Sequence, residues 1–317
     1  MIFIEHLHQH DPALNLALEE FVAQRLPKTS PYFLLYQNSP SVILGRNQNI
    51  YEEVDLRFAD AQKIALHRRI SGGGAVYHDL GNLNYSFLHP HDPALIGNWT
   101  TILAPLLHAL HQIGVPAQLN YRNDILLEGK KISGTAQRAG RHLMISHGTL
   151  LVETDLERLL RVLNPSGATI TSQSLKSFRS KVTNIKNWLP EDWDVIKLRD
   201  YLRDTLAPEH TYTPTSEDWQ EVRNLAQQKY RSWDWNFGRS PAFVLTRETT
   251  WEEEPLTMTL SVGKQGVITN LRFSQEKAIW SKITKDLIQT RYHKGDLLAY
   301  LQRYFPDQHQ TLIQFLY

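Results

Sequence analysis

The residues best suited to chemistry in this sequence lie at positions 68–79, which read R-R-I-S-G-G-G-A-V-Y-H-D. Three consecutive glycines serve poorly inside a helix or strand, because glycine loses the most backbone freedom on folding. They suit a loop that bends tightly or lies against a ligand. Backbone N–H groups without side chains, close to guanidinium groups, favour an anionic ligand. Taken alone, the stretch fits a glycine-rich hairpin loop with incidental charges equally well.

Two further polar stretches could join the glycine stretch in one site. Asn123 offers a donor and an acceptor that suit the edge of a purine, and Asp124 can hold a magnesium ion or a hydroxyl. His147, within S-H-G-T, could hydrogen-bond a carbonyl group. The alternatives are a turn before a strand for the first pair and an ordinary strand histidine for the second.

A third stretch, K-K-I-S-G-T-A, contains the adjacent lysines Lys130 and Lys131. Neighbouring side chains in an extended chain point to opposite faces, so we expect at most one of the two to enter a common site. A lysine placed there brings positive charge to a phosphate or to a developing oxyanion. Two solvated lysines at a hairpin turn are the simpler alternative.

Composition excludes several other classes of protein. The 317 residues carry a net charge of +1, which gives no bulk electrostatic case for binding nucleic acid or a membrane surface. We find no apolar run that could span a bilayer and no signal peptide, and we expect a cytoplasmic protein. The chain has no cysteine, so thiolate nucleophiles and cysteine-based metal sites are excluded. Phosphate-loop, dinucleotide, serine-hydrolase and H-E-x-x-H zinc motifs are absent from the sequence.

The elements that must position these residues can be read from periodicity and capping signals. Asp11 followed by Pro12 predicts the start of a helix with an apolar stripe, and residues 98–114 predict another. The predicted strands that carry the polar stretches are residues 82–88, 124–127, 132–138 and 143–152. We further predict that residues 32–36 pair with residues 41–44, and that residues 55–66 form a helix.

The C-terminal part of the chain differs from the rest. Residues 256–262 and 267–273 predict a hairpin across G-K-Q-G, and two helices follow near residues 281–290 and 295–304. We therefore predict two domains, a large one at residues 1–245 and a small α/β unit at residues 246–317. Residues 215–230, in the large predicted domain, predict a further helix. It begins with a capping box in which aspartate replaces the usual glutamate or glutamine.

The order of these motifs resembles the lipoate–protein ligase A family. The resemblance is carried by R-R-I-S-G-G-G-A-V-Y-H-D-L-G-N-L-N-Y-S-F, R-N-D-I, K-K-I-S-G-T-A-Q-R and H-G-T-L-L, and it runs from about residue 11 to about residue 245. The small C-terminal unit is similar to the accessory domain of the longer ligases. The combination is far more specific than any one motif, although the family often has a second histidine where this chain has Ser146.

The resemblance implies an α+β fold shared with biotin ligases and a two-step reaction. Lipoate and ATP, with Mg²⁺, would give lipoyl-AMP and pyrophosphate, and the lipoyl group would then pass to a lysine of an acceptor protein. The implied acceptors are lipoyl domains of 2-oxoacid dehydrogenases and the glycine-cleavage H protein, with octanoate as a possible competing acid. We expect a monomer that binds neither nucleic acid nor membranes.

The resemblance also assigns site residues. Lys131 matches the essential lysine, which would contact the α-phosphate and the lipoyl carbonyl oxygen. Asn123 and Asp124 match the nucleotide-side pair, and Asp124 is also the expected magnesium ligand. The residues implied to contact lipoate or lipoyl-AMP are Arg46, Arg69, Ser71, Gly72, Gly73, Gly74, Tyr77, His78, His147 and Thr149. Residues 14–18 and 42–44 are expected to form apolar walls for the lipoyl chain.

Three other functions were weighed against this one. Cysteine-dependent octanoyl or lipoyl transferases form a thioester, which this chain cannot form. A biotin ligase would have a G-R-G-R-x-x-x-R-x-W loop in place of the glycine stretch. A non-catalytic lipoate-binding or regulatory protein would keep the ligand contacts without needing Lys131.

Overall fold

The computed structural model of the chain describes residues 1–6, 9–165, 167–178, 180–207 and 210–317. The chain forms two compact units, and each is built from segments that are distant in sequence. The first unit comprises Met1–Arg46, Leu56–Leu163 and Ser177–Ser232, and the second comprises Asn47–Asp55, Asn164–Lys176 and Trp233–Tyr317. The division of function between residues 1–245 and 246–317 stays a prediction.

Helices and strands alternate irregularly along the chain, as in an α+β protein. The helices are α1 (Pro12–Arg25), α2 (Ile50–Glu53), α3 (Leu56–Ala61), α4 (Trp99–Gln112), α5 (Leu156–Val162), α6 (Val195–Leu206), α7 (Ser216–Leu225), α8 (Trp233–Asn236), α9 (Ala278–Leu287), α10 (Lys294–Tyr304) and α11 (His309–Leu316). The strands are β1 (Ile2–Ile4), β2 (Tyr32–Tyr36), β3 (Ser41–Leu44), β4 (Ala65–Arg68), β5 (Val76–His78), β6 (Asn82–Pro90), β7 (Gln118–Leu119), β8 (Ile125–Leu127), β9 (Lys130–Ser133), β10 (Thr135–Ala139), β11 (Leu143–Leu151), β12 (Thr169–Ser172), β13 (His210–Tyr212), β14 (Phe243–Trp251), β15 (Glu254–Val262) and β16 (Ile268–Phe273).

A six-stranded sheet forms the centre of the first unit, in the order β10-β11-β6-β2-β1-β13. Strands β11 and β6 are antiparallel over their full length, and β1 is parallel to both β2 and β13. Two smaller sheets, β4-β3-β5 and β7-β8-β9, belong to the same unit. Buried apolar side chains of α4, α6 and the central strands form one core, which gives the strand ends a rigid support.

Helix α1 begins where the sequence predicts. The Asp11 carboxylate accepts hydrogen bonds from the backbone N–H groups of Ala13 (2.9 Å) and Leu14 (3.4 Å), and Pro12 occupies the first turn. The capping box at Thr215 and Asp218 is also present, at the start of α7. Local hydrogen bonds decide these two helix starts, so the sequence alone was sufficient to locate them.

Three local predictions were wrong. Strands β2 and β3 do not pair, because both are buried along their whole length and each joins a different sheet. Residues 55–66 divide into α3 and β4, with Lys63 between them in the left-handed region (φ 54°). Residues 132–138 likewise divide at Gly134, so that β9 and β10 lie in different sheets.

The second unit contains the antiparallel sheet β12-β14-β15-β16 and helices α9–α11. The predicted hairpin is present as β15 and β16. Trp280 of α9 stacks on Phe273 with ring centroids 4.6 Å apart, which packs the helix against the sheet. Helix α11 and strand β14 were not predicted. Across both units, the described helices are all too short or too polar to cross a bilayer.

Candidate active site

The first unit contains a cavity of about 250 Å³ that gathers residues from every polar stretch singled out in the sequence. Eight predicted site residues line it, and they are Arg69, Gly73, Gly74, His78, Asp124, Lys131, His147 and Thr149. The other five, all within the described chain, are not part of its lining, and they are Arg46, Ser71, Gly72, Tyr77 and Asn123. Thus segments separated by up to 80 residues of sequence converge on one space.

Apolar side chains form another part of the cavity wall. Leu16 of α1 and Ile43 of β3 belong to the two segments that were expected to form apolar walls. Tyr36, Val76 and Ala136 extend this surface and were not predicted. A cavity with apolar walls and a few convergent polar groups suits an amphipathic small molecule.

Lys131 and Asp124 form an ion pair at the cavity wall, with Nζ 2.7 Å from Oδ1. The Lys131 backbone is fixed on both sides: its N–H donates to Lys181 O (2.8 Å), and its carbonyl accepts from Thr183 N (3.0 Å). Lys130, next to it in β9, is exposed. As expected, only one of the two adjacent lysines, Lys131, lines the cavity, and the other is exposed to solvent.

Gly134 leaves space for the lysine head group. A Cβ at this position would lie 3.0 Å from Lys131 Nζ and 3.1 Å from Cε, so the side chain passes directly over the glycine. Asn123 adopts the left-handed conformation (φ 67°), and its carbonyl accepts from the Thr135 hydroxyl at 2.7 Å. This turn brings Asp124 to the start of β8, opposite β9.

Arg69 is buried and donates most of its hydrogen bonds to the glycine stretch. It donates to Ser71 Oγ (2.9 Å), to Ile43 O (3.1 Å), and to the carbonyls of Gly72 (2.5 Å) and Gly74 (2.9 Å). Burial lowers the pKa of Arg69 to about 10, so the guanidinium stays charged at neutral pH. The Arg69 side chain therefore holds the glycine stretch in shape. The family resemblance implied a contact with the ligand and not this supporting role.

A buried hydrogen-bonded chain links α1, β11 and the glycine stretch at the cavity. Glu19 of α1, which is 1% exposed, accepts from His147 Nδ1 at 2.7 Å. His147 Nε2 lies 2.6 Å from Ser71 Oγ, which also accepts from Arg69. Sequence analysis missed Glu19, because an acidic residue in an amphipathic helix is normally exposed; only its burial marks it as part of the site.

Gly45 lets the glycine stretch approach β3 closely. A Cβ on Gly45 would lie 2.0 Å from the carbonyl oxygen of Gly73, whereas a Cβ on Gly72 would meet no atom within 4 Å. Gly45→Ala should therefore displace the loop and lower the free energy of unfolding by about 1–3 kcal/mol. Gly72→Ala should leave it unchanged or raise it by about 0.4–1 kcal/mol, because Gly72 has no left-handed φ. Urea unfolding of both variants measures the difference, and equal losses would refute this account.

The metal prediction concerns Asp124 alone. Among the described residues, no group of three or more histidine, aspartate or glutamate side chains could hold a metal ion. Of the described residues that line the cavity, Asp124 alone carries a carboxylate. Mg²⁺ in nucleotide sites commonly takes one or two carboxylates and completes its shell with water and phosphate oxygens. The donor set fits a nucleotide-borne Mg²⁺ and not a site built from the protein alone.

The sequence profile of the lipoyl protein ligase A/B catalytic domain matches residues 11–207. A lipoate–protein ligase 1 of Staphylococcus aureus is 42% identical over 256 residues, covering 80% of this chain and 78% of that protein. The lipoate–protein ligase LplJ of Bacillus subtilis is 38% identical over 272 residues, with coverage of 83% and 82%. The chain therefore belongs to the lipoyl protein ligase A/B family.

Solved structures agree with this assignment. A lipoate–protein ligase A solved with bound ATP has a TM-score of 0.65 at 27% identity and covers 75% of this chain and 99% of its own. A putative lipoate protein ligase from Thermoplasma acidophilum, solved with lipoic acid, has a TM-score of 0.63 at 27% identity, with coverage of 74% and 98%. A bipartite ligase from the same organism, studied with its E2 lipoyl domain, has a TM-score of 0.64 at 26% identity and covers 75% and 96%. The predicted α+β class is confirmed.

Proposed function

We propose that this protein is a lipoate–protein ligase, which activates lipoate with ATP and transfers the lipoyl group to a lysine of an acceptor domain. The observation that carries the proposal is the Lys131–Asp124 ion pair, which shares one cavity with the glycine stretch and an apolar wall. The apolar wall suits the hydrocarbon chain and dithiolane ring of lipoate. The ammonium and the backbone amides suit its carboxylate and the phosphates of ATP.

In the first step, a carboxylate oxygen of lipoate attacks the α-phosphorus of ATP. The bond between that phosphorus and the bridging oxygen breaks, and pyrophosphate leaves. Both reactants are anionic, so the protein must supply positive charge and alignment. Lys131 is a cation in the cavity wall that can perform this task, and its ion pair with Asp124 holds Nζ at one place there.

In the second step, the ε-amine of an acceptor lysine attacks the carbonyl carbon of lipoyl-AMP. An amide forms, AMP leaves, and the amine gives up a proton. The mixed anhydride is already activated, so no protein nucleophile is needed and a chain without cysteine completes the reaction.

The other predicted site residues are assigned to the nucleotide or to the lipoyl-adenylate. Asn123 and Asp124 bind the nucleotide side, and Asp124 would hold Mg²⁺, which would neutralise phosphate charge there. Arg46, Tyr77 and His78 are assigned to the lipoyl-adenylate as well, and of these three His78 lines the cavity. The further residues assigned to lipoyl-adenylate binding are Ser71, Gly72, Gly73, Gly74, His147 and Thr149. Arg69 serves the same site by holding the glycine stretch in shape.

Acceptors and location extend the same proposal. The related bipartite ligase studied with an E2 lipoyl domain supports lipoyl domains as acceptors. We include the glycine-cleavage H protein as a second acceptor and octanoate as a second acid substrate. The protein acts as a cytoplasmic monomer in this proposal.

Lipoate-dependent exchange of labelled pyrophosphate into ATP, with Mg²⁺ and without an acceptor, tests the first step directly. We expect exchange with lipoate. If neither lipoate nor octanoate supports exchange while lipoate binding is measurable by calorimetry, the ligase proposal fails and a lipoate-binding protein remains.

A further inference from the structure

His78 lines the cavity and carries a ring nitrogen that has no hydrogen-bond partner among the described residues. Its side chain is 4% exposed and lines the cavity, and its Nδ1 lies 2.9 Å from Nδ2 of Asn38. Within the part of the chain that the structure describes, His78 Nε2 is buried and has no hydrogen-bond partner. A buried polar atom without a partner, on a side chain that lines a cavity, is a position where a ligand atom would complete a hydrogen bond.

The hydrogen-bond network fixes which nitrogen of His78 carries the proton. Asn15 Nδ2 donates to the backbone carbonyl of Gln37 (3.1 Å), which can only accept, and the same Nδ2 donates to Asn38 Oδ1 (2.8 Å). The Asn38 atom facing His78 is therefore the amide NH₂, a donor. His78 Nδ1 must accept, so in the neutral ring the proton resides on Nε2.

We propose that Asn38 is a positioning residue of this site: supported by Asn15, it holds His78 in the tautomer whose Nε2–H donates to an oxygen at the carboxyl end of the substrate. This inference rests on the proposed function for the identity of that oxygen. Neither Asn15 nor Asn38 belongs to a motif that the sequence analysis singled out. Both are almost completely buried, so their amides serve partners inside the protein.

The surroundings of His78 keep the ring neutral. Burial, together with the positive charges of Arg69 and His147, lowers the pKa of His78 to about 3. Among the described residues, the other charged groups that line this cavity are Arg122 and the Lys131–Asp124 pair, and Glu19 is paired with His147. At neutral pH His78 therefore donates one hydrogen bond without adding charge, and its donor capacity does not change with pH in the working range.

Nitrogen NMR of the histidine rings tests the tautomer without reference to activity. In the full-length protein without substrate, the His78 ring should show a protonated Nε2 and an unprotonated Nδ1. The signal is assigned by its absence from a His78→Gln variant. A proton on Nδ1, or on both nitrogens at neutral pH, would overturn the proposal.

A substitution of nearly the same shape, Asn38→Asp, tests the consequence for binding. In Asn38→Asp, the new carboxylate accepts a hydrogen bond from Nδ1–H, so Nε2 of the neutral His78 ring carries no proton and only the protonated ring can donate from Nε2. In this variant, lipoate affinity measured by calorimetry should fall about ten- to hundredfold as the pH rises through the new pKa of His78. The affinity of the parent protein should show no such fall over the same pH range. Asn98→Asp, on the exposed cap of α4, is the control.

The outcomes separate the two proposals. An Asn38→Asp variant that loses the same factor of affinity at every pH would mark Asn38 as merely structural and refute the positioning role. If the parent protein binds lipoate with the predicted tautomer but supports no pyrophosphate exchange, the ligase function fails while the role of Asn38 in binding stands. Rescue of lipoate affinity in Asn38→Asp at low pH would support the proposal independently of catalysis.

Discussion

Replacing Lys131 with alanine should lower lipoate-dependent pyrophosphate exchange by about 10²–10³-fold, because it removes the cation placed to neutralise charge as the carboxylate attacks phosphorus. The side chain lies in the wall of the cavity and is held at 2.7 Å from Asp124, so no reorganisation is needed when charge develops. The loss should appear mainly in kcat, since the interaction strengthens in the transition state.

Lys130→Ala is the matched control, since it removes the same side chain from the neighbouring, exposed position of β9. This variant should exchange pyrophosphate at close to the parent rate. Equal losses in the two variants would refute the argument from opposite faces. Full activity in Lys131→Ala would refute its catalytic role. Pre-made lipoyl-AMP supplied to Lys131→Ala, with an acceptor domain, would show separately whether the second step also needs this lysine.

Arg69→Leu should destabilise the protein by about 3–5 kcal/mol, which is a large part of the stability of most domains. The substitution removes a buried cation and every hydrogen bond it donates to the glycine stretch. It also leaves the buried Glu19 carboxylate, which interacts with the guanidinium, without that charge. Guanidinium chloride unfolding, followed by tryptophan fluorescence, measures the change in the free energy of unfolding.

Arg141→Leu provides the comparison, because Arg141 is exposed at the turn between β10 and β11. An exposed substitution of this type normally changes stability by less than about 0.5 kcal/mol. If Arg69→Leu were as stable as Arg141→Leu but failed to bind lipoate, Arg69 would be a direct ligand contact and not a support of the loop. That result would reverse the role that its hydrogen bonds suggest.

Much of the fold could be predicted where local chemistry decides it. Asp11, Pro12 and Thr215 mark helix starts through hydrogen bonds to their own neighbours, and the β15–β16 hairpin follows from its turn. The sheet partners of β2 and of β3 could not be predicted in this way. Both strands are buried on both faces, so their partners depend on distant segments that a local pattern does not contain.

The site could be predicted as a set of polar loops but not as a network. The glycine stretch, Lys131 and His147 stand out because their residue types are unusual in their positions. Glu19 and Asn38 do not stand out, because a helical glutamate and a loop asparagine are common at protein surfaces. Their importance arises from burial next to a histidine, which only the three-dimensional structure reveals.

The interleaved chain of the two units has a consequence for how the protein is made. Asn47–Asp55 and Asn164–Lys176 leave the ribosome before Trp233–Tyr317, the rest of their unit, has been synthesised. Strand β12 pairs with β14, so it has no sheet partner until residues 243–251 have left the ribosome. The second unit thus completes only after residues 233–317 have been synthesised. A chain stopped at residue 232 would contain two segments without the rest of their unit, and an open strand edge prone to aggregation.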